Sequence, residues 1–88
     1  MTNKKLIEKL QEDMEMRGFS NHTKDSYLRK AKEIIEYFGK PMKQVTTKEL
    51  REYLMKYLRE ERKLEERSVN YYNSVIRFIY DVVLDYPI

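Results

Sequence analysis

Asn70, Asn73, Ser74, Arg77 and Asp81 recur at spacings of three and four within SVNYYNSVIRFIYDVVL, residues 68–84. That spacing predicts a helix with all five side chains on one side. A solvated helix usually carries Glu and Lys there. Amides, a hydroxyl and a guanidinium are instead the groups that bond base edges and phosphate oxygens. Val69, Tyr72, Ile76, Ile79 and Val83 make the opposite, apolar stripe. The same pattern also fits an amphipathic core helix with an ordinary wet side, so the neighbouring elements must decide between the two readings.

The helix expected over Asn21–Phe38 offers a second polar side, with Thr23, Ser26, Arg29 and Lys30. Thr23 and Ser26 lie near its N-terminus, where unpaired amides and the helix dipole favour an anion. Lys24 borders the apolar stripe and can extend its ammonium outward. Packed side by side, these two helices can meet a duplex together, one entering the major groove and the other meeting the backbone. Tyr71, beside Asn70 and Ser74, can lie against phosphate or deoxyribose, or simply pack at the stripe edge.

Sets for catalysis do not converge. His22 is the sole histidine, in the first turn of the second helix, and reads as a surface or capping residue. No glycine-rich phosphate loop is present, and no cofactor is implied. The carboxylates are scattered along helix surfaces within reach of Lys or Arg. Of the eight tyrosines, Tyr27, Tyr53, Tyr57 and Tyr72 fall on apolar stripes, whereas Tyr37, Tyr71 and Tyr80 lie at stripe edges with room to reach outward.

The elements that must position these groups are legible from periodicity and caps. A first helix is expected over about Lys4–Arg17, with Leu6, Ile7, Leu10 and Met14 inward and Gly18 closing it; Phe19 then enters the core. Ser20 should cap the second helix, whose inward residues are Tyr27, Leu28, Ala31, Ile34, Ile35 and Phe38, with Gly39 and Pro41 ending it. Thr46 and Glu49 stand in capping-box register at the start of a third helix, and Val45 can staple to Leu50. Its stripe is Leu50, Tyr53, Leu54, Tyr57 and Leu58, reaching at least Arg59. Leu64 should pin the charged connection REERKLEER. The last helix should begin near Arg67 or Ser68 and run almost to Tyr86, where Pro87 stops it.

An all-α fold follows: a compact four-helix bundle with short turns, in one domain spanning 1–88. Eighty-eight residues with two glycines and two prolines allow one small core. Absence of cysteine removes disulfides and thiolate-bound zinc. No apolar run approaches the ~20 residues of a membrane span, and the start is not a signal sequence. A cytoplasmic protein without a membrane partner is expected. The net charge of +3 is mild, but Lys24, Arg29, Lys30 and Lys32 face one acid, Asp25, so the excess is local, as a binding patch requires. The abrupt stop after a strong helix suggests a domain cut from a longer chain.

The order of GFSNHTKDSYL, TTKEL and LEERSVNYYNSVIRFIY resembles the N-terminal core-binding, or SAM-like, domain of tyrosine recombinases and phage integrases. Ser20, Thr23, Tyr27 and Leu28 match that family's Ser-x-x-Thr-x-x-x-Tyr-Leu pattern. Thr46, Thr47 and Glu49 match its cap, and Leu64, Ser68, Val69, Asn70, Val75, Ile76, Arg77 and Tyr80 occupy the places of its last-helix pattern. Glu65, Ser68 and Asn73 depart from it. The resemblance implies a non-catalytic, DNA-gripping domain, with strand cleavage in a C-terminal catalytic domain outside this chain; none of the tyrosines here is then the nucleophile. It also implies double-stranded DNA, the parent protein's catalytic domain and neighbouring recombinase protomers as partners, the isolated domain being monomeric. The expected DNA contacts are Thr23, Lys24, Ser26, Arg29, Lys30, Asn70, Tyr71, Asn73, Ser74 and Arg77. The alternative is a helical protein–protein interaction module using the charged segments 8–15 and 59–67. A free-standing small enzyme is the least supported reading.

Overall fold

The start of the first helix is fixed by Thr2, whose hydroxyl accepts the Lys5 N–H at 3.2 Å in the computed structural model, which describes residues 2–86. This helix, α1, spans Asn3–Met16, and α2 spans Asn21–Phe38. Gly18 (φ +73°) allows the Phe19 N–H to reach the Met14 carbonyl and its own N–H the Glu15 carbonyl. That pair of bonds is a Schellman stop, which needs a left-handed residue. Ser20 then caps α2 by accepting the Thr23 N–H at 3.2 Å. Gly39, also left-handed, closes α2 onto the Ile35 carbonyl.

A 3₁₀ turn, Met42–Gln44, leads to α3, Thr47–Glu52. The expected capping box is complete: Thr46 accepts from the Glu49 amide at 3.1 Å and the Glu49 carboxylate accepts from the Thr46 amide at 2.9 Å. Lys40 reaches the same carboxylate. The Thr46 amide, with Lys40 behind it, holds the Glu49 carboxyl below its usual range.

Two departures from a plain α-helical reading follow. Beyond Glu52 the third helix continues not as α but as a π-helix, Tyr53–Glu61. The last helix, α4, starts one turn-fraction early, at Glu66, and is α-helical only to Phe78; Ile79–Val83 is again π-helical. Both segments carry apolar pairs repeating every four residues: 53/54 with 57/58, and 79/80 with 83/84. In an α-helix a four-residue repeat drifts by about 40° per turn. In the wider π turns Tyr53, Leu58, Ile79, Tyr80, Val83 and Leu84 are buried, with Leu54 and Tyr57 half-buried against the core.

The core joins Leu6, Leu10 and Met14 of α1, Ala31 and Ile34 of α2, Leu50, Tyr53 and Leu58 of the third helix, and Val69, Tyr72, Val75, Ile76 and Ile79 of the fourth. Val83, Tyr80, Met42, Val45 and Leu84 complete it; of the buried residues Met42, Val45, Val75, Tyr80 and Leu84 lie outside the sequence-derived stripes. Leu64 packs against the core, as its position in the charged connection suggests. Tyr80 corrects the expectation of an outward-reaching ring. It is fully buried, and its hydroxyl donates to the Met42 carbonyl. The residue lies in the π-helical end of the chain's last helix. Burial pushes its phenol up to about 12. Among the described residues there is no strand, and no helix is long and apolar enough to cross a membrane. The all-α, four-helix fold class stands.

Candidate nucleic-acid interface

On α4, Asn70, Ser74 and Arg77 are exposed, and Asp81 continues the row into the π-helical end. Ser74 donates its hydroxyl proton back to the Asn70 carbonyl at 3.2 Å, leaving the oxygen's lone pairs outward. Among the described residues Arg77 has no carboxylate partner. Apart from the Ser74 proton given to the Asn70 carbonyl, the row holds donors and acceptors without side-chain partners among the described residues, not an ion-paired coat.

Two helices flank this row. On one side lies α2, joined to α4 by an aromatic seam. Tyr27 meets Tyr71 edge-on at 5.6 Å and Phe78 at 5.7 Å, and Phe19 reaches Phe78 at 5.3 Å. Lys30 lies over this seam, its ammonium 4.7 Å from the Tyr71 ring centroid and 5.3 Å from that of Tyr72. Such a cation is held by the ring faces yet keeps its charge available. Arg17 sits similarly over Phe78 at 5.8 Å. Tyr71 is thus half-buried in the seam, its ring edge-packed. Burial raises the Tyr27 phenol, with neighbouring Tyr71 adding to it.

Further along α2, the exposed Glu33 links the helices. Its carboxylate accepts from the Tyr72 hydroxyl at 2.8 Å and from the Arg62 guanidinium at 3.2 Å. Arg62 ends the π-helical segment, so one carboxylate joins three elements and fixes how α2 sits on α4.

The α2 residues do not all turn the same way. Thr23 and Lys30 lie toward α4 by helical position, with Ser26 beside them. The Thr23 hydroxyl accepts from Ser20 at 3.0 Å and retains its own proton for a further acceptor. Lys24 is drawn to the opposite side, where its ammonium pairs with Glu15 of α1; that contact also lowers the Glu15 carboxyl. Arg29 lies about 100° round α2 from Lys30, exposed and paired with Asp25 at 3.5 Å. Lys30 is thereby set against Tyr71, Thr23 and Ser26 share its side of α2 by helical position, and Lys24 and Arg29 are set apart.

The other flank was not anticipated. Between the third helix and α4 runs an open groove of about 450 Å³. Asn70, Asn73, Arg77 and Asp81 form its α4 wall, and Thr47, Arg51, Leu54 and Met55 the facing wall, with Leu50, Val69 and Ile76 at the floor. Thr47, Arg51 and Met55 are missing from the sequence-derived set. Their spacing of four beside the Leu50–Leu54 stripe was the available signal, but it gains meaning only once that helix is laid against α4.

The all-α, four-helix architecture is that of the SAM-like class of domains. The chain belongs to a family within it: residues 6–88 match the phage integrase N-terminal SAM-like domain. A protein of Sinorhizobium fredii (strain NBRC 101917 / NGR234), named an integrase/recombinase, y4qK, is 34% identical over 80 residues. The match covers 91% of this chain and 26% of that protein, so the chain spans about a quarter of its relative's length. No solved structure matches the chain significantly.

Proposed function

We propose that this chain is the DNA-gripping domain of a site-specific tyrosine recombinase or integrase, holding duplex DNA with α2 and α4. The unpaired face of α4, Asn70, Asn73, Ser74 and Arg77, is the observation that carries the reading. Family membership supports it. A helix with its side chains is about 10–12 Å across, and the major groove is about 12 Å wide, so α4 fits as the inserted element. Lys30 and Thr23 of α2 then meet one bounding strand. Lys24 and Arg29 take secondary roles, because each must first leave a carboxylate.

Residues 1–88 act in this reading as one non-catalytic domain. Strand cleavage belongs to a catalytic domain of a longer parent protein, and neighbouring protomers on DNA are its other partners. The working compartment is the cytoplasm, where the DNA lies.

Titrating duplex DNA at several salt concentrations tests the proposal. If roughly four to six phosphates are neutralised, log affinity falls against log salt with a slope near −4 to −5. No binding at low salt contradicts it. Self-association without DNA, with no response of α2 or α4 to duplex, favours a protein-interaction module instead.

A further inference from the structure

We infer that the groove between the third helix and α4 cradles the second sugar–phosphate strand, with Arg51 and Thr47 as DNA contacts that lie on neither α2 nor α4. The inference rests on the DNA-binding reading above and adds an element to it. An α-helix in the major groove has a backbone strand on each side of it. On one side of α4 stands α2. On the other stands the third helix, and a concave channel lies between them.

The channel has the chemistry of a backbone strand in relief. A sugar–phosphate strand alternates anionic phosphates with apolar deoxyribose. Here Arg51 and Arg77 occupy opposite walls, and neither has a carboxylate partner among the described residues. Leu54 and Met55 supply aliphatic surface between the polar groups, Met55 being 41% exposed. The capping box consumes the Thr46 hydroxyl, while Thr47, one residue on, lines the channel. No aromatic ring lines it, so a stacked, unpaired base has no platform there. Asp81 also lines the channel, and its charge bars a phosphate from its immediate surroundings.

The test uses two mixed-sequence duplexes of unrelated sequence, each about 20 base pairs, titrated by fluorescence anisotropy across a salt series. R51A should weaken binding about fivefold at low salt on both duplexes and make the salt slope shallower by about one, since a lost phosphate contact acts uniformly across sequences. R51K should restore the slope. M55E, which sets a carboxylate in the exposed part of the channel, should weaken binding about tenfold and reads the same surface if R51A fails to fold. Circular dichroism and the thermal midpoint establish that each variant is folded. Wild-type-like binding by folded R51A or M55E, with R77A still impaired, overturns the cradle and leaves the DNA-binding reading standing. A loss confined to one duplex overturns it too, as Arg51 would then read a base. No binding by the wild type at low salt removes both together.

Discussion

Tyr80 carries a prediction at the scale of single residues. Its phenol is raised from 10.0 to about 12, chiefly by burial, because the core disfavours the phenolate. A group whose folded pKa exceeds its unfolded value contributes stability that is complete below the unfolded value and lost as pH rises through the folded one. Urea unfolding should therefore show stability level below about pH 10 and falling toward pH 12. Tyr80→Phe should flatten part of that decline while costing about 1 kcal/mol at neutral pH, the usual worth of one lost hydrogen bond. Glu49 carries the opposite sign. Its lowered carboxyl adds stability above its ordinary value of 4.5, lost as pH falls through the folded value. Sequence spacing identified the Thr46–Glu49 box because both partners lie within one turn. It could not place Tyr80, whose partner is the Met42 carbonyl, 38 residues away.

Among elements, the two π-helical ends share one termination. Arg62 donates to the Tyr57 carbonyl and Leu64 to that of Leu58; Leu84 donates to Ile79 and Tyr86 to Tyr80. Between each pair of donors stands a left-handed residue that is not glycine, Lys63 (φ 54°) or Asp85 (φ 50°). Aspartate visits that region more cheaply than lysine, for which the cost is about 1–2 kcal/mol. Lys63→Gly should thus raise stability by about 0.5–1 kcal/mol, offset in part by the freer unfolded chain, and lift the thermal midpoint by a few degrees. An unchanged or lower midpoint would show that the backbone there relaxes at no cost. The stop of α1 and both ends of α2 were legible because Gly18, Ser20 and Gly39 act locally; the Thr2 cap of α1 was not anticipated. The π segments were not, since a four-residue apolar repeat suits an α-helix nearly as well until the core selects the wider turn.

Across the whole molecule, the arrangement sets α4 between α2 and the third helix, polar side outward. The sequence revealed that side, and it revealed α2 as a neighbour with polar groups to offer. Which α2 cations turn toward α4 depended on partners elsewhere: Glu15 draws Lys24 away, Asp25 holds Arg29, and the tyrosine seam holds Lys30. The groove with Arg51 depended wholly on packing between helices. Arg77→Ala, at an exposed position, should leave stability within about 0.5 kcal/mol. It should weaken DNA binding and make the salt slope shallower by about one. Unfolding of that variant would place Arg77 in a structural role instead. The claim on which the account turns is that α4 faces the duplex. Amide chemical shifts of the labelled chain, recorded as duplex DNA is added at low salt, read it most directly. The account expects the largest changes at Asn70, Asn73, Ser74 and Arg77, with Thr23 and Lys30 responding beside them. Changes confined to the outer side of α1 or to residues 59–67, with α4 silent, would contradict it.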